Sequence, residues 1–226
     1  MPFGMNPHKG GARAARLAAG LAALLIAAAA GPAQPAGAQA ARTLVFFGDS
    51  LTAGYGLPDP STQSFPALIQ RKIDAARLSW RVVNAGLSGE TSAGGLRRVD
   101  WVLRQGADVF VLELGGNDGL RGIAPAVTRE NLQAIIDRVR SSRPGARVIL
   151  AGMRMPASMG PDYAAAFQGI YPELARRNGL ILIPFLLDGV AGRPDLNQPD
   201  GIHPTAAGDV IVADLLWKTL LPVLQN

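Results

Sequence analysis

The hydrophobic positions of this chain switch period repeatedly along its length. Thr43-Leu44-Val45-Phe46-Phe47 is a short, largely apolar run that stops at a glycine. Val82-Val83, Val109-Phe110-Val111-Leu112, Val148-Ile149-Leu150 and Leu180-Ile181-Leu182-Ile183 are similar runs. Short runs apolar on both faces predict strands of a parallel sheet covered on both sides. Between them, apolar residues recur at helical spacing: Leu68, Ile69 and Ile73; Leu96, Val99 and Leu103; Leu132, Ile135, Ile136 and Val139. The stretch 205–224 reads as a last helix, apolar at Val210, Ile211, Leu215, Leu216 and Leu220. Strand and helix alternating once per ~30–40 residues predict a three-layer α/β domain around a parallel sheet of about five strands. Ligands of such sheets bind beyond the carboxyl ends of the strands, so the residues just after each run are the first place to look for chemistry.

The first forty residues have a different pattern. They carry Lys9, Arg13 and Arg16 and no acid, then the apolar run Leu17 to Ala30, then a Pro/Gly/Gln stretch ending in Ala38-Gln39-Ala40. That order predicts a secretory signal peptide over residues 1–40, cleaved after Ala40, and one domain over residues 41–226. The alternative is an uncleaved anchor, but the apolar run is shorter than the ~20 residues a spanning helix needs. No Arg-Arg pair suggests twin-arginine export, and no Cys follows the run to carry a lipid. The expected location is outside the cytoplasm, the periplasm in a Gram-negative cell, with no stable membrane anchor after leader cleavage.

The leader also changes the charge. Formal net charge is +5 for the whole chain, and removing the three basic leader residues leaves +2. No basic run interleaved with aromatics appears, so no nucleic-acid partner is expected. The chain has no Cys, which removes disulfides, zinc-thiolate sites and a Cys nucleophile. A domain of this length can bury a sufficient core without them, and a monomer is the working expectation.

Four polar clusters follow the predicted strands. Ser50, in Gly48-Asp49-Ser50-Leu51, can point its Oγ into the rim of the sheet, with a helix N-terminus behind it for a developing anion; equally it can be only an N-cap. Asn117, after Gly115 and Gly116, offers a neutral amide N–H to an oxyanion or supports its own turn. Gly89 offers a backbone N–H or is a plain turn glycine. Asp200 and His203 lie three apart around Gly201, close enough for the carboxylate to reach imidazole Nδ1 and leave Nε2 for a serine proton. Pro204 suits the first turn of the helix that follows. The only other histidine is His8, in the leader. No G-x-S-x-G elbow, P-loop or dinucleotide fingerprint is present. With one His in the mature chain and no Cys, neither a metal nor any other cofactor is expected.

Taken in order, Phe47-Gly48-Asp49-Ser50-Leu51-Thr52, Asn84-Ala85-Gly86-Leu87-Ser88-Gly89-Glu90, Glu113-Leu114-Gly115-Gly116-Asn117-Asp118 and Asp200-Gly201-Ile202-His203-Pro204 resemble the blocks of the SGNH, or GDSL, hydrolase family. The resemblance implies a flavodoxin-like α/β/α sandwich. It implies Ser50 as nucleophile, His203 as general base, Asp200 as its orienting acid, and an oxyanion hole from the Ser50 and Gly89 N–H groups and the Asn117 side chain. Gly119-Leu120-Arg121-Gly122, Arg154-Met155-Pro156-Ala157, Ile170-Tyr171-Pro172 and Ile183-Pro184-Phe185 resemble the secreted bacterial thioesterase, arylesterase and lysophospholipase subgroup. That implies hydrolysis of short- to medium-chain acyl esters and thioesters, small-molecule substrates, with no cofactor. Leu120, Ile123 and Met155, apolar and beyond strand ends, are the expected acyl-chain contacts, although ordinary loop packing explains them as well. Two other readings stay open: a carbohydrate O-acetylesterase with the same triad, and a non-catalytic binding domain on the same fold.

Overall fold

The computed structural model describes residues 41–226. The expected leader and its expected cleavage point after Ala40 lie outside the described residues. The elements follow in the order β1 (Arg42–Gly48), α1 (Ser50–Ala53), α2 (Pro60–Gln63), α3 (Phe65–Ala75), β2 (Trp80–Gly86), α4 (Ser92–Leu103), β3 (Val109–Glu113), α5 (Gly116–Leu120), α6 (Pro125–Ser142), β4 (Arg147–Ala151), α7 (Pro161–Asn178), β5 (Ile181–Ile183) and α8 (Ala206–Leu224). The five strands form one sheet in the order β2-β1-β3-β4-β5, every neighbouring pair parallel. The predicted five-stranded α/β/α architecture is the one observed.

Successive strand residues point to opposite faces, and β1 shows both. The Phe46 ring meets Phe65 of α3 edge-on at 5.5 Å between centroids. Phe47 instead lies under the Arg98 guanidinium of α4, 4.2 Å from the ring centroid. Helices α3 and α8 pack together, as do α4, α6 and α7 in sequence. The predicted stripe Leu132, Ile135, Ile136 and Val139 of α6 is fully buried.

Three local features differ from the sequence pattern. β2 is an edge strand, and Val82 and Val83 are only half-buried. The both-faces rule holds for β1, β3 and β4, which have a neighbour on each side. Helix α8 buries Val212, Ala213, Leu216 and Leu220, while Val210 is exposed; a helix this apolar around its circumference does not declare its buried face. Pro204 lies outside α8, in an isolated bridge to Asn197, and Thr205 caps the helix by accepting from the Gly208 N–H.

Asp209, in the first turn of α8, is buried and accepts a hydrogen bond from the Phe65 N–H at 3.2 Å. Burial pushes its carboxyl up from 3.8 to about 7 despite that bond. Between those values the folded protein keeps a proton that the unfolded chain has lost. The group's stabilising contribution is therefore complete below about pH 4 and disappears as pH rises through about 7. Asp209→Asn keeps the acceptor without the charge. In urea melts it is expected to exceed the wild type at pH 8 by on the order of a few kcal/mol, the gap closing as pH falls toward 4. A gap independent of pH would contradict this account.

Candidate active site

Because all strands are parallel, their carboxyl ends share one edge, and the polar clusters gather there. β1 ends at Gly48, where a Cβ would come within 2.1 Å of Thr52 Oγ1 and 2.2 Å of Glu113 Oε2, so no side chain fits. Asp49 then caps α1: its Oδ1 accepts from the Leu51 N–H at 3.0 Å. Ser50 is the first residue of that helix rather than its cap, which leaves its hydroxyl available.

Asp200 and His203 come from the loop between β5 and α8. Gly201 turns the chain at φ +74°. Asp200 Oδ1 accepts from the N–H groups of Ile202 and His203 at 3.0 and 3.1 Å. Its Oδ2 lies 2.7 Å from His203 Nδ1, and His203 Nε2 lies 2.8 Å from Ser50 Oγ. Burial works against the Asp200 charge, but those two N–H groups and the imidazole outweigh it and hold the carboxyl below the usual range. The loop is pinned by Gln198, whose side-chain amide donates to the carbonyls of Tyr55 and Pro204. The Tyr55 ring sits 4.8 Å from the imidazole, centroid to centroid.

The other two predicted residues face the same space. Gly115, at φ +111°, makes the turn from β3 into α5 and places Asn117 beside Asp49; the Asn117 amide donates to Asp49 Oδ2 at 3.0 Å. Gly89, at φ +78°, follows β2, and Arg121 donates to its carbonyl at 3.0 Å. Ser50, Gly89, Asn117, Asp200 and His203 all line one cleft of about 740 Å³. Leu120 and Met155 line it too. Ile123 does not: its carbonyl accepts from the Tyr163 hydroxyl at 2.7 Å, and the residue is half-buried in its own loop. The cleft wall includes Met153, Phe185 and Ile202, which the sequence pattern did not single out because loop residues carry no period.

Two of the acids quoted in the sequence blocks without a role, Asp49 and Glu113, are buried beside the site. Asp49 is 2% exposed and Glu113 is fully buried. Burial raises Asp49 to about 6, against the Leu51 and Asn117 hydrogen bonds. Glu113 is raised well above the usual range by burial and by the Asp49 charge. A charged residue inside an otherwise apolar strand, as in Val109-Phe110-Val111-Leu112-Glu113, is the signal that could have flagged it. Among the described residues, no group of three or more His, Cys, Asp or Glu could hold a metal ion.

An alcohol hydrogen-bonded to an imidazole, itself hydrogen-bonded to a carboxylate, can lose its proton as it attacks an electrophile. N–H groups at the same cleft can receive the negative charge that develops. Comparison with known proteins points to the same chemistry. A model of the GDSL-like Lipase/Acylhydrolase family matches residues 46–211. Esterase TesA of Pseudomonas aeruginosa is 42% identical over 186 residues, 82% of this chain and 90% of the relative. Thioesterase 1/protease 1/lysophospholipase L1 of Escherichia coli is 40% identical over 190 residues, 84% of this chain and 88% of the relative. The crystal structure of the psychrotrophic esterase EstA from a Pseudoalteromonas species, inhibited by monoethylphosphonate, superposes with a TM-score of 0.76 at 32% identity, covering 82% of this chain and 100% of that one. The chain therefore belongs to the GDSL-like lipase/acylhydrolase family, the SGNH hydrolases, and is an ester-hydrolysing enzyme.

Proposed function

We propose that the enzyme cleaves short- to medium-chain acyl esters and thioesters by two-step acyl transfer through Ser50. The observation that carries this reading is the unbroken series Asp200 Oδ2–His203 Nδ1 at 2.7 Å and His203 Nε2–Ser50 Oγ at 2.8 Å, opening on the cleft. Ser50 Oγ attacks the acyl carbonyl as its proton passes to His203 Nε2. The oxyanion is held by the Ser50 and Gly89 N–H groups and the Asn117 amide. Collapse breaks the bond to the leaving oxygen or sulfur, which takes the proton from His203. Water then attacks the acyl-Ser50 ester, giving its proton to His203, and the acid leaves as Ser50 recovers its hydrogen.

The apolar wall of Leu120, Met153, Met155 and Phe185 suits an acyl chain. It disfavours an acetylesterase confined to sugars, and the aligned triad disfavours a binding-only domain. The esterase, thioesterase and lysophospholipase names of the relatives support the ester and thioester range. The basic, apolar and small-residue order of residues 1–40 supports export to the periplasm by a cleaved leader. A panel of p-nitrophenyl, aryl, acyl-CoA and lysophospholipid esters tests the reading: turnover of oxygen and sulfur esters by the wild type and not by Ser50→Ala is expected, and equal rates would overturn it. Leu120→Ala and Met155→Ala should each lower kcat/KM for the octanoate by about tenfold relative to the acetate. A chain-length profile unchanged by both would remove them from the acyl site.

A further inference from the structure

Asp49 takes no part in the acyl transfer above, yet its carboxyl is almost wholly buried beside Ser50, a costly place for a charge. Two donors compensate. Oδ1 accepts from the Leu51 N–H and Oδ2 from the Asn117 amide, each at 3.0 Å. Asp49 is the one side-chain partner of the Asn117 amide among the described residues. The Asp49 backbone is fixed in turn: its N–H donates to Glu113 Oε2 at 3.1 Å, and the Thr52 hydroxyl donates to the same oxygen at 2.7 Å. Glu113 closes β3 immediately before the turn that carries Asn117. The segments that follow β1 and β3, which carry Ser50 and Asn117, are thus cross-tied through two carboxyl groups.

We propose that Asp49 is a positioning residue for the oxyanion hole: its carboxylate holds one N–H of the Asn117 amide so that the other points into the cleft beside Ser50. The proposal rests on Asn117 being the oxyanion donor, as argued under the proposed function. The need for an ionised carboxylate follows from counting acceptors. Asparagine at position 49 offers one oxygen to two donors and sets an amide N–H against one of them. A protonated Asp49 keeps both oxygens but carries an O–H donor on one of them, which accepts more weakly there. In either case Asn117 loses its aim.

Proton dependence follows. Asp49 is faced by Glu113 at the end of β3, Asp118 of α5 and His203 ahead of α8, while Arg98 of α4 donates to the neighbouring Gly48 carbonyl and pairs with Glu90. Burial, with Asp118 opposing its charge and His203 favouring it, raises Asp49 to about 6. The aim of Asn117 is therefore intact above about pH 6 and is lost below it.

The test compares Asp49→Asn, Asn117→Ala and the double variant. Asn117→Ala should lower kcat by about 10²–10³-fold. Asp49→Asn should lower it about 10–100-fold, with KM changed far less, as a misplaced group does. The double variant should be no worse than Asn117→Ala, within about twofold. Full activity in Asp49→Asn, or losses that multiply in the double variant, would overturn the proposal. Full activity in Asn117→Ala would overturn the oxyanion assignment itself, a distinguishable failure. A second measurement stands if Asp49→Asn does not fold. Below pH about 6, log(kcat/KM) of the wild type should fall more steeply than that of Asn117→Ala, which no longer has an aim to lose. Parallel profiles for the two proteins would overturn the proposal.

Discussion

His203→Ala is expected to lower kcat on p-nitrophenyl butyrate by about 10⁴–10⁶-fold, with the protein still folded. The size of the loss follows from how little could replace the imidazole. The only other histidine in the chain is His8, within the first forty residues. Of the acids at the cleft, Asp200 is spent on imidazole Nδ1 and two backbone N–H groups, and Asp49 on Leu51 and Asn117. Water, a far weaker base than imidazole, is then what remains to take the Ser50 proton. The side chain of His203 is mostly buried but sits at the cleft, outside the hydrophobic core, so its removal should change the urea midpoint only slightly. Circular dichroism and steady-state rates on the same preparation check both halves of the statement. Retained activity in His203→Ala would leave the triad without a substitute.

Ser50→Ala is expected to produce a loss of the same order, about 10⁴–10⁶-fold in kcat. The two substitutions remove halves of one device, so they should not add. Ser50→Ala/His203→Ala should be about as slow as either alone, with residual rate coming from substrate binding and the oxyanion donors. Losses that multiply would mean that the two residues act separately, against the 2.8 Å contact between them. Ser50→Ala should also still bind product-like fatty acids, since the apolar wall of the cleft is untouched; loss of binding would point to a collapsed cleft rather than a missing nucleophile.

The parts of this molecule legible in its sequence are those in which the physics is local. β1, β3, β4 and α6 carry long apolar patterns that burial on both sides or along one stripe enforces. Asp200 and His203 meet because three residues and a glycine turn bring them together. Other features depended on partners remote in sequence. Whether a strand is an edge is set by strand order, so the exposure of β2 could not be read from Val82 and Val83. Helix α7 has no counterpart among the predicted elements, although Phe167, Ile170, Tyr171 and Leu174 form a buried stripe; it also contains Gly169 and the internal Pro172, residues that usually interrupt helices. Tertiary packing overrides that signal here, with the Tyr171 hydroxyl donating to the Leu114 carbonyl at 3.0 Å. The choice of Asp49 over Ser50 as the helix cap depended on Glu113 and Asn117 approaching from β3 and α5. Ile123 was expected at the cleft as one of three apolar residues beyond strand ends, and only the path of its loop, tied to Tyr163, decided otherwise.

The most direct test of the central claim is the intact mass and peptide map of the protein after exposure to a fluorophosphonate. This reagent phosphonylates a serine only when its hydroxyl is activated and the oxyanion donors are in place. One adduct per chain is expected, on the peptide carrying Ser50, with activity lost in proportion to labelling. Ser50→Ala should give none, and His203→Ala should label far more slowly. An enzyme that hydrolyses esters without an adduct, or with the adduct on another residue, would contradict the account.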